Sequence, residues 1–158
     1  MPHVASPSPL SLSSLRALAA GRLAPARDAV DDVQRAWVVH GRRLRELGFW
    51  AVANYRLGRR AAFLENRLAR ALCAPAYGAC SLALDLAAGV QLNRECAIGR
   101  DFHLVHGWNV KIHPDAVLGD HVGIMHDVTI GTVEDGGAPV LGDNVFVGAG
   151  ARILGPVH

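Results

Sequence analysis

Two spacings of apolar residues divide the chain. From Leu92 onward, aliphatics recur every six residues: Leu92, Ile98 and Leu104, then Ile112, Leu118, Ile124 and Ile130, then Leu141, Val147 and Ile153. Four residues after most of them stands a small or apolar side chain: Cys96, Ala116, Val122, Val128, Val145 and Ala151. The frame slips twice, by two residues at Val110-Lys111 and by a longer insert between Gly131 and Leu141. A period of six fits neither a 3.6-residue helix nor a two-residue alternation. It is the repeat of a parallel β-solenoid, in which three short strands close one triangular coil of about 18 residues. The aliphatics then face the interior and stack on their equivalents one coil away. A Gly after the aliphatic, as at Gly99, Gly119, Gly131, Gly142 and Gly148, is expected to relieve crowding at the corners. The stretch Thr132 to Pro139 is too polar and Gly-rich for a strand and predicts a loop thrown out from one corner.

Ahead of the solenoid the spacing is helical. Residues 1–14 are rich in Ser and Pro without periodicity and read as a disordered tail. Leu15 to Ala20 reads as a short helical turn. Pro25 is placed to open a helix to about His40, with a second piece to Leu47. Gly48 interrupts, and a stronger helix is predicted from Phe49 to about Leu72. Its core stripe would be Trp50, Ala53, Leu57, Ala61, Leu64, Leu68 and Ala71, with Arg56, Arg59, Arg60, Arg67 and Arg70 on the other side. A last helix is predicted from Pro75 to Ala88, ended by Gly89. The reading is α+β: a tail (1–14), an α-helical region (15–89) and a parallel β-helix (90–158).

Composition adds little to this. The chain is 51% hydrophobic and 19% charged, as expected of a packed soluble protein. Charge is uneven, with twelve Arg or Lys against six Asp or Glu before Gly89, and four against eight from Gly89 on. An Ala- and Arg-rich composition accounts for the basic front half, and no nucleic-acid partner is expected. An Arg-rich amphipathic helix can lie on a membrane, but packing on the protein itself is the preferred reading. Cys73, Cys80 and Cys96 lack metal-site spacing and are expected to be buried thiols in a reducing cytoplasm. No signal-peptide pattern opens the chain. The run Leu72 to Leu84, which contains Pro75, is too short to cross a bilayer, so no integral membrane segment is expected.

Chemistry centres on histidine. His103, His106, His113, His121 and His126 all lie in the solenoid, none at an inward repeat position, so each imidazole is available to titrate. His113-Pro114-Asp115 reads as a turn.

The ordered runs Leu104-Val105-His106-Gly107, Ile112-His113-Pro114-Asp115-Ala116-Val117-Leu118-Gly119, Asp127-Val128-Thr129-Ile130-Gly131 and Val147 to Gly155 carry a resemblance. They are similar to the left-handed β-helix acyltransferases, and within them to the serine acetyltransferase family. The resemblance covers roughly Gly48 to the end, and Tyr55-Arg56-Leu57-Gly58-Arg59-Arg60 resembles the helix before that family's solenoid. It implies a left-handed coil, a homotrimer or dimer of trimers, and acetyl-CoA as acetyl donor to a small hydroxyl acceptor, L-serine by default. It implies that His106 is the general base. His126 is the second candidate, because Met125 to Gly131 resembles sugar acetyltransferases with a groove histidine. Gly131 and the run Ala149, Gly150, Ala151 match positions whose backbone approaches the pantetheine arm.

Departures from the family fall at the acceptor. Gln91 stands where the family has the aspartate that orients the base. Val105 replaces the acidic residue before it. Gly137-Ala138-Pro139 replaces an Arg-His-Pro run, so Ala138 stands where a serine-binding side chain is expected. Gly155 to His158 ends in mid-repeat, so the expectation is either a truncated product or an incomplete coenzyme groove. Three alternatives follow. The acceptor could be a sugar or polysaccharide hydroxyl. The chain could be a non-catalytic scaffold or regulatory homologue. His121 and His126, with His103 or His106, could instead form a zinc site like that of the γ-class carbonic anhydrases. On the leading reading no metal is expected.

Overall fold

Strands two residues long cannot stand alone, and in a repeat of six each finds its parallel neighbour one coil away. The computed structural model describes residues 29–42, 44–133 and 137–158. Ten short strands run through its second half: β1 (Gln91–Leu92), β2 (Ala97–Ile98), β3 (His103–Leu104), β4 (Lys111–Ile112), β5 (Val117–Leu118), β6 (Gly123–Ile124), β7 (Thr129–Gly131), β8 (Val140–Leu141), β9 (Phe146–Val147) and β10 (Arg152–Leu154). All pair in parallel, and they form three faces ordered β1-β4-β7-β10, β2-β5-β8 and β3-β6-β9. This is a three-sided solenoid of three coils with the start of a fourth.

Two side chains of each repeat point inward. The repeat-opening aliphatics from Leu92 through Ile130 are buried, and so are the residues two before them: Val90, Cys96, Phe102, Val110, Ala116, Val122 and Val128. Burial pushes the Cys96 thiol up to about 12. Glycine's role at one corner is close approach, not an unusual dihedral. A Cβ on Gly99 would lie 2.5 Å from the Gly119 carbonyl of the next coil, and one on Gly119 would lie 2.6 Å from Gly142. The left-handed backbone falls instead on Asp101, His121 and Asn144, which stack at that corner.

Among the described residues, three helices precede the solenoid: α1 (Ala29–Val39), α2 (Leu47–Ala62) and α3 (Arg67–Ala88). The residues placed in the tail, in the turn at 15–20 and at Pro25 lie outside those described. Residues 40–42 turn where a second helical piece was expected. The helix predicted from Phe49 to Leu72 is two helices, because Asn66 caps a fresh start. Its side chain accepts from the Leu68 and Ala69 amides at 2.9 and 3.2 Å. α3 then runs through Pro75 to a left-handed cap at Gly89 (φ 66°). Gly48 does not break α2. It lets the helix start against β3, where a Cβ would meet the Leu104 carbonyl at 2.3 Å.

The predicted stripe is rotated. Phe49, Ala51, Val52, Ala53 and Tyr55 are buried, whereas Trp50, Leu57 and Leu68 are exposed. The reason is that α2 buries a polar edge as well as an apolar face. The Tyr55 hydroxyl donates to the Cys96 carbonyl (2.8 Å) and accepts from the Ile98 amide (3.2 Å). Arg56 donates to the carbonyls of Ile98 and Gly99, and Arg59 to those of Cys96 and Arg94. His40, buried at the end of α1, accepts the Leu104 amide at Nε2 (3.2 Å) while Nδ1 donates to the Ala36 carbonyl (2.7 Å). The Tyr77 hydroxyl of α3 accepts the Arg94 amide at 2.9 Å.

Packed on α2 through Asn54–Ser81 (2.9 Å) and Gly58–Tyr77, α3 leaves most of its surface open. Leu68, Leu72, Leu82 and Leu86 are exposed, and so are Cys73 and Cys80, contrary to the expectation of buried thiols. Those cysteines sit on a flank that no other described element covers. With 22 residues and mean hydropathy 1.4 in its most apolar window, α3 is also long and apolar enough to cross a membrane by length and composition. The contiguous run Leu72 to Leu84 understated it, because the Ala-rich first turns and the residues after Asp85 extend the same helix.

Tyr55→Phe should cost about 1–3 kcal/mol in denaturant unfolding, since it leaves the Ile98 amide without its acceptor. His40 gives a pH signature. Burial holds its imidazole below the ordinary histidine range, against a smaller upward pull from the Ala36 carbonyl. The unfolded chain therefore takes up a proton first as pH falls through about 6.5, and stability falls with it. Unfolding free energy should be lower at about pH 5 than at pH 7, with a smaller difference in His40→Gln.

Candidate active site

One corner of the solenoid, where the β3-β6-β9 face turns into the β1-β4-β7-β10 face, collects most of the expected site residues. Leu104, Ile124 and Val147 are in register there. Two residues on, the successive rungs carry His106, His126 and Ala149. The first rung is longer by Gly107-Trp108, because Lys111, Thr129 and Arg152 are again in register. The two-residue slip therefore lies beside His106 and not at Val110-Lys111. A Cβ on Gly107 would come within 2.8 Å of Gly48, so the bulge rests on the start of α2.

After the bulge, Asn109, Asp127 and Gly150 stack with φ of 48°, 58° and 77°. Only Gly takes this backbone freely, and Asn and Asp are the side chains that tolerate it best. These residues bind the rungs together. The Asn109 amide donates to the Ala88 carbonyl at 2.6 Å, the Asp127 amide to Trp108 at 2.9 Å, and the Gly150 amide to His126 at 3.1 Å.

His126 is oriented at this corner. Its Nδ1 lies 2.9 Å from Asp127 Oδ2, and Asp127 Oδ1 accepts from Asn109 Nδ2 at 2.8 Å. The bond from His126, then that from Asn109, holds the Asp127 carboxyl below the usual carboxylate range. Arg152 donates to the Asp127 main-chain carbonyl. His106 is exposed, has φ 52°, and its side chain makes no hydrogen bond or ion pair among the described residues.

The other expected residues scatter. Ala149 and Gly150 are exposed on the same corner and Ala151 is half-buried, with Val105 beside His106. Gln91 faces outward on β1, where its amide donates to Asp85 Oδ2 of α3 at 3.0 Å. It borders an open cleft of about 460 Å³ with Tyr77, Asn93 and Arg94. Gly131 and Ala138 lie at the opposite end of the β1-β4-β7-β10 face, and Ala138 is buried. The loop that contains Ala138 carries no strand from Thr132 to Val133 or Gly137 to Pro139, and its tip lies outside the described residues.

His113 accepts the Asp115 amide at Nδ1 (3.2 Å), as the turn reading requires. His103 packs edge-on against His40 at 4.9 Å. His121 stands at a different corner from His126, 3.4 Å from Asp101 Oδ2. The chain therefore does not bring the proposed zinc histidines together, and no three metal-ligating side chains converge among the described residues. Asp127 and Asn109 were missed in the sequence reading. The available signal was a residue that tolerates left-handed backbone two positions before each strand of one face: Gly89, Asn109, Asp127 and Gly150.

A three-sided parallel solenoid with helices over its first coil defines the class of hexapeptide-repeat β-helix proteins. No family model matches the chain. Over 104 residues it is 38% identical to a probable serine acetyltransferase of Oryza sativa subsp. japonica, covering 61% of this chain and 34% of that protein. The solenoid and its helices superpose on a serine acetyltransferase from Neisseria gonorrhoeae in complex with serine, with TM-score 0.67 and 23% identity, covering 92% of this chain and 64% of that one. They also superpose on a serine acetyltransferase from Brucella abortus in complex with coenzyme A, with TM-score 0.62 and 22% identity over 80% of this chain and 52% of that one. The structural likeness establishes the left-handed β-helix fold. The sequence likeness is to serine acetyltransferases over part of the chain, in line with the motifs. The matched span is about a third of the rice relative's length.

The Asp127 carboxyl should titrate below about 3.9 by carbon-13 NMR, and its midpoint should rise toward that value in His126→Ala. A midpoint unchanged by the substitution would mean that the two side chains are not bonded in solution.

Proposed function

We propose that this chain is an acetyl-CoA-dependent O-acetyltransferase with L-serine as default acceptor. The observation that carries the reading is that His106 and His126 fall at one corner of a solenoid whose motifs match serine acetyltransferases. A corner imidazole takes the acceptor hydroxyl proton as the oxygen attacks the thioester carbonyl. The C–S bond then breaks, and the proton passes to the leaving thiolate. His106 stands where the family pattern has its base.

Acetyl-CoA is supported as donor by the Gly148-to-Ala151 rung. Gly150 needs its glycine for φ, but Gly148 does not, and a Cβ there would meet nothing within 4 Å. Packing within one chain leaves the smallness of Gly148 unexplained, whereas a pantetheine arm or a neighbouring subunit would use it. A homotrimer is supported by the open apolar flank of α3, since surfaces of that kind generally meet a partner. A reducing, cytoplasmic setting fits the three free cysteines.

Thiol release from acetyl-CoA with L-serine tests the reading. Wild type should release thiol, and the double variant His106→Ala/His126→Ala should lose about 10²–10⁴ of that rate. Release only with sugar hydroxyls would move the acceptor to the polysaccharide branch. No release with any acceptor from folded protein would overturn the enzyme reading.

A further inference from the structure

The two corner histidines are not equivalent, and the difference is geometric. A general base must present an unprotonated nitrogen in a fixed direction, which requires its other nitrogen to be held. His126 meets that requirement within a chain of hydrogen bonds: Asn109 Nδ2 donates to Asp127 Oδ1 (2.8 Å), and His126 Nδ1 donates to Asp127 Oδ2 (2.9 Å). The backbone fixes the chain, since Asn109 and Asp127 are stacked left-handed corner residues tied by their amides to Ala88 and Trp108. A carboxylate that accepts from Nδ1–H selects the tautomer with Nε2 free, and it stabilises the imidazolium formed when Nε2 takes a proton. His106, exposed and unheld, has no such support.

We infer that Asp127, braced by Asn109, is the positioning residue of the site, and that His126 rather than His106 is the proton acceptor of this corner. The inference rests on the acetyltransfer reading for its chemistry. The acceptor O–H proton passes to His126 Nε2, the oxygen bonds to the thioester carbon, and on collapse of the intermediate Nε2 returns the proton to the coenzyme A sulfur. Gln91 then need not replace the family's orienting aspartate, because the carboxylate has moved to the rung above. Among the described residues, the charged groups that meet the His126–Asp127 pair are Asp127 itself and Arg152 at the Asp127 carbonyl.

The test combines a spectroscopic readout with kinetics on the full chain. Nitrogen-15 NMR of the imidazole rings should show His126 in the Nδ1–H tautomer. In Asp127→Asn, which keeps the shape and tolerates the left-handed backbone, that tautomer should no longer dominate. Thiol release from acetyl-CoA should drop by about 10²-fold or more in kcat for His126→Ala. It should drop in kcat, with little change in KM, for Asp127→Asn. Asn109→Gly, which suits the corner's φ, should show the same direction with a smaller loss. A larger kcat loss in His106→Ala than in His126→Ala would overturn the inference while leaving acetyl transfer intact. An Nδ1–H tautomer at His126 that ignores Asp127→Asn would overturn it whether or not the protein turns over.

Discussion

A parallel solenoid has an end, and the first coil of this one would expose a row of strand amides and carbonyls with no strand beneath them. Each such group left unpaired inside the protein costs about 1–3 kcal/mol. Side chains from all three helices meet that edge. His40 of the α1 end serves β3, Tyr55, Arg56 and Arg59 of α2 serve β2, and Tyr77 of α3 serves the turn between β1 and β2. The helices therefore stand in for a missing coil, and an open edge that could pair with another chain is covered.

The same contacts place the histidine corner. Gly107 of the bulge rests on Gly48 at the start of α2, and Asn109 is tied to Ala88 at the end of α3. The first rung is thus held by the cap, and the second by the first through Asn109 and Asp127. A solenoid gives exact repetition from coil to coil, and the functional differences arise where one rung departs from it. Here the departure is two residues beside His106, which separate it from His126 and leave one imidazole oriented and the other open.

Much of the solenoid was legible in the sequence because its period is strict. Ten aliphatics predicted ten strands, and those from Leu92 to Ile130 are buried as expected. The helices were less legible. Hydrophobic periodicity assumes an apolar interior, and α2 faces a row of backbone carbonyls, so Tyr55, Arg56 and Arg59 point where Leu57 and Ala61 were expected. An N-cap at Asn66 was hidden inside a run that looked continuous. At the site, His106 and His126 were visible as motif residues, but their partners were not. Asp127 and Asn109 are eighteen residues apart and meet only because the coil returns to register. Ala138 and Gly131 matched family positions along the chain, yet they lie at the other end of the face from the histidines.

Native-state hydrogen exchange at the Ile98 and Leu104 amides tests the cap most directly. Both should be protected to the level of an interior rung such as Gly123, whose amide is bonded to Val145 at 2.9 Å. Exchange as fast as that of exposed loop amides, in protein whose inner coils remain protected, would contradict the claim that the helices close the solenoid's first edge.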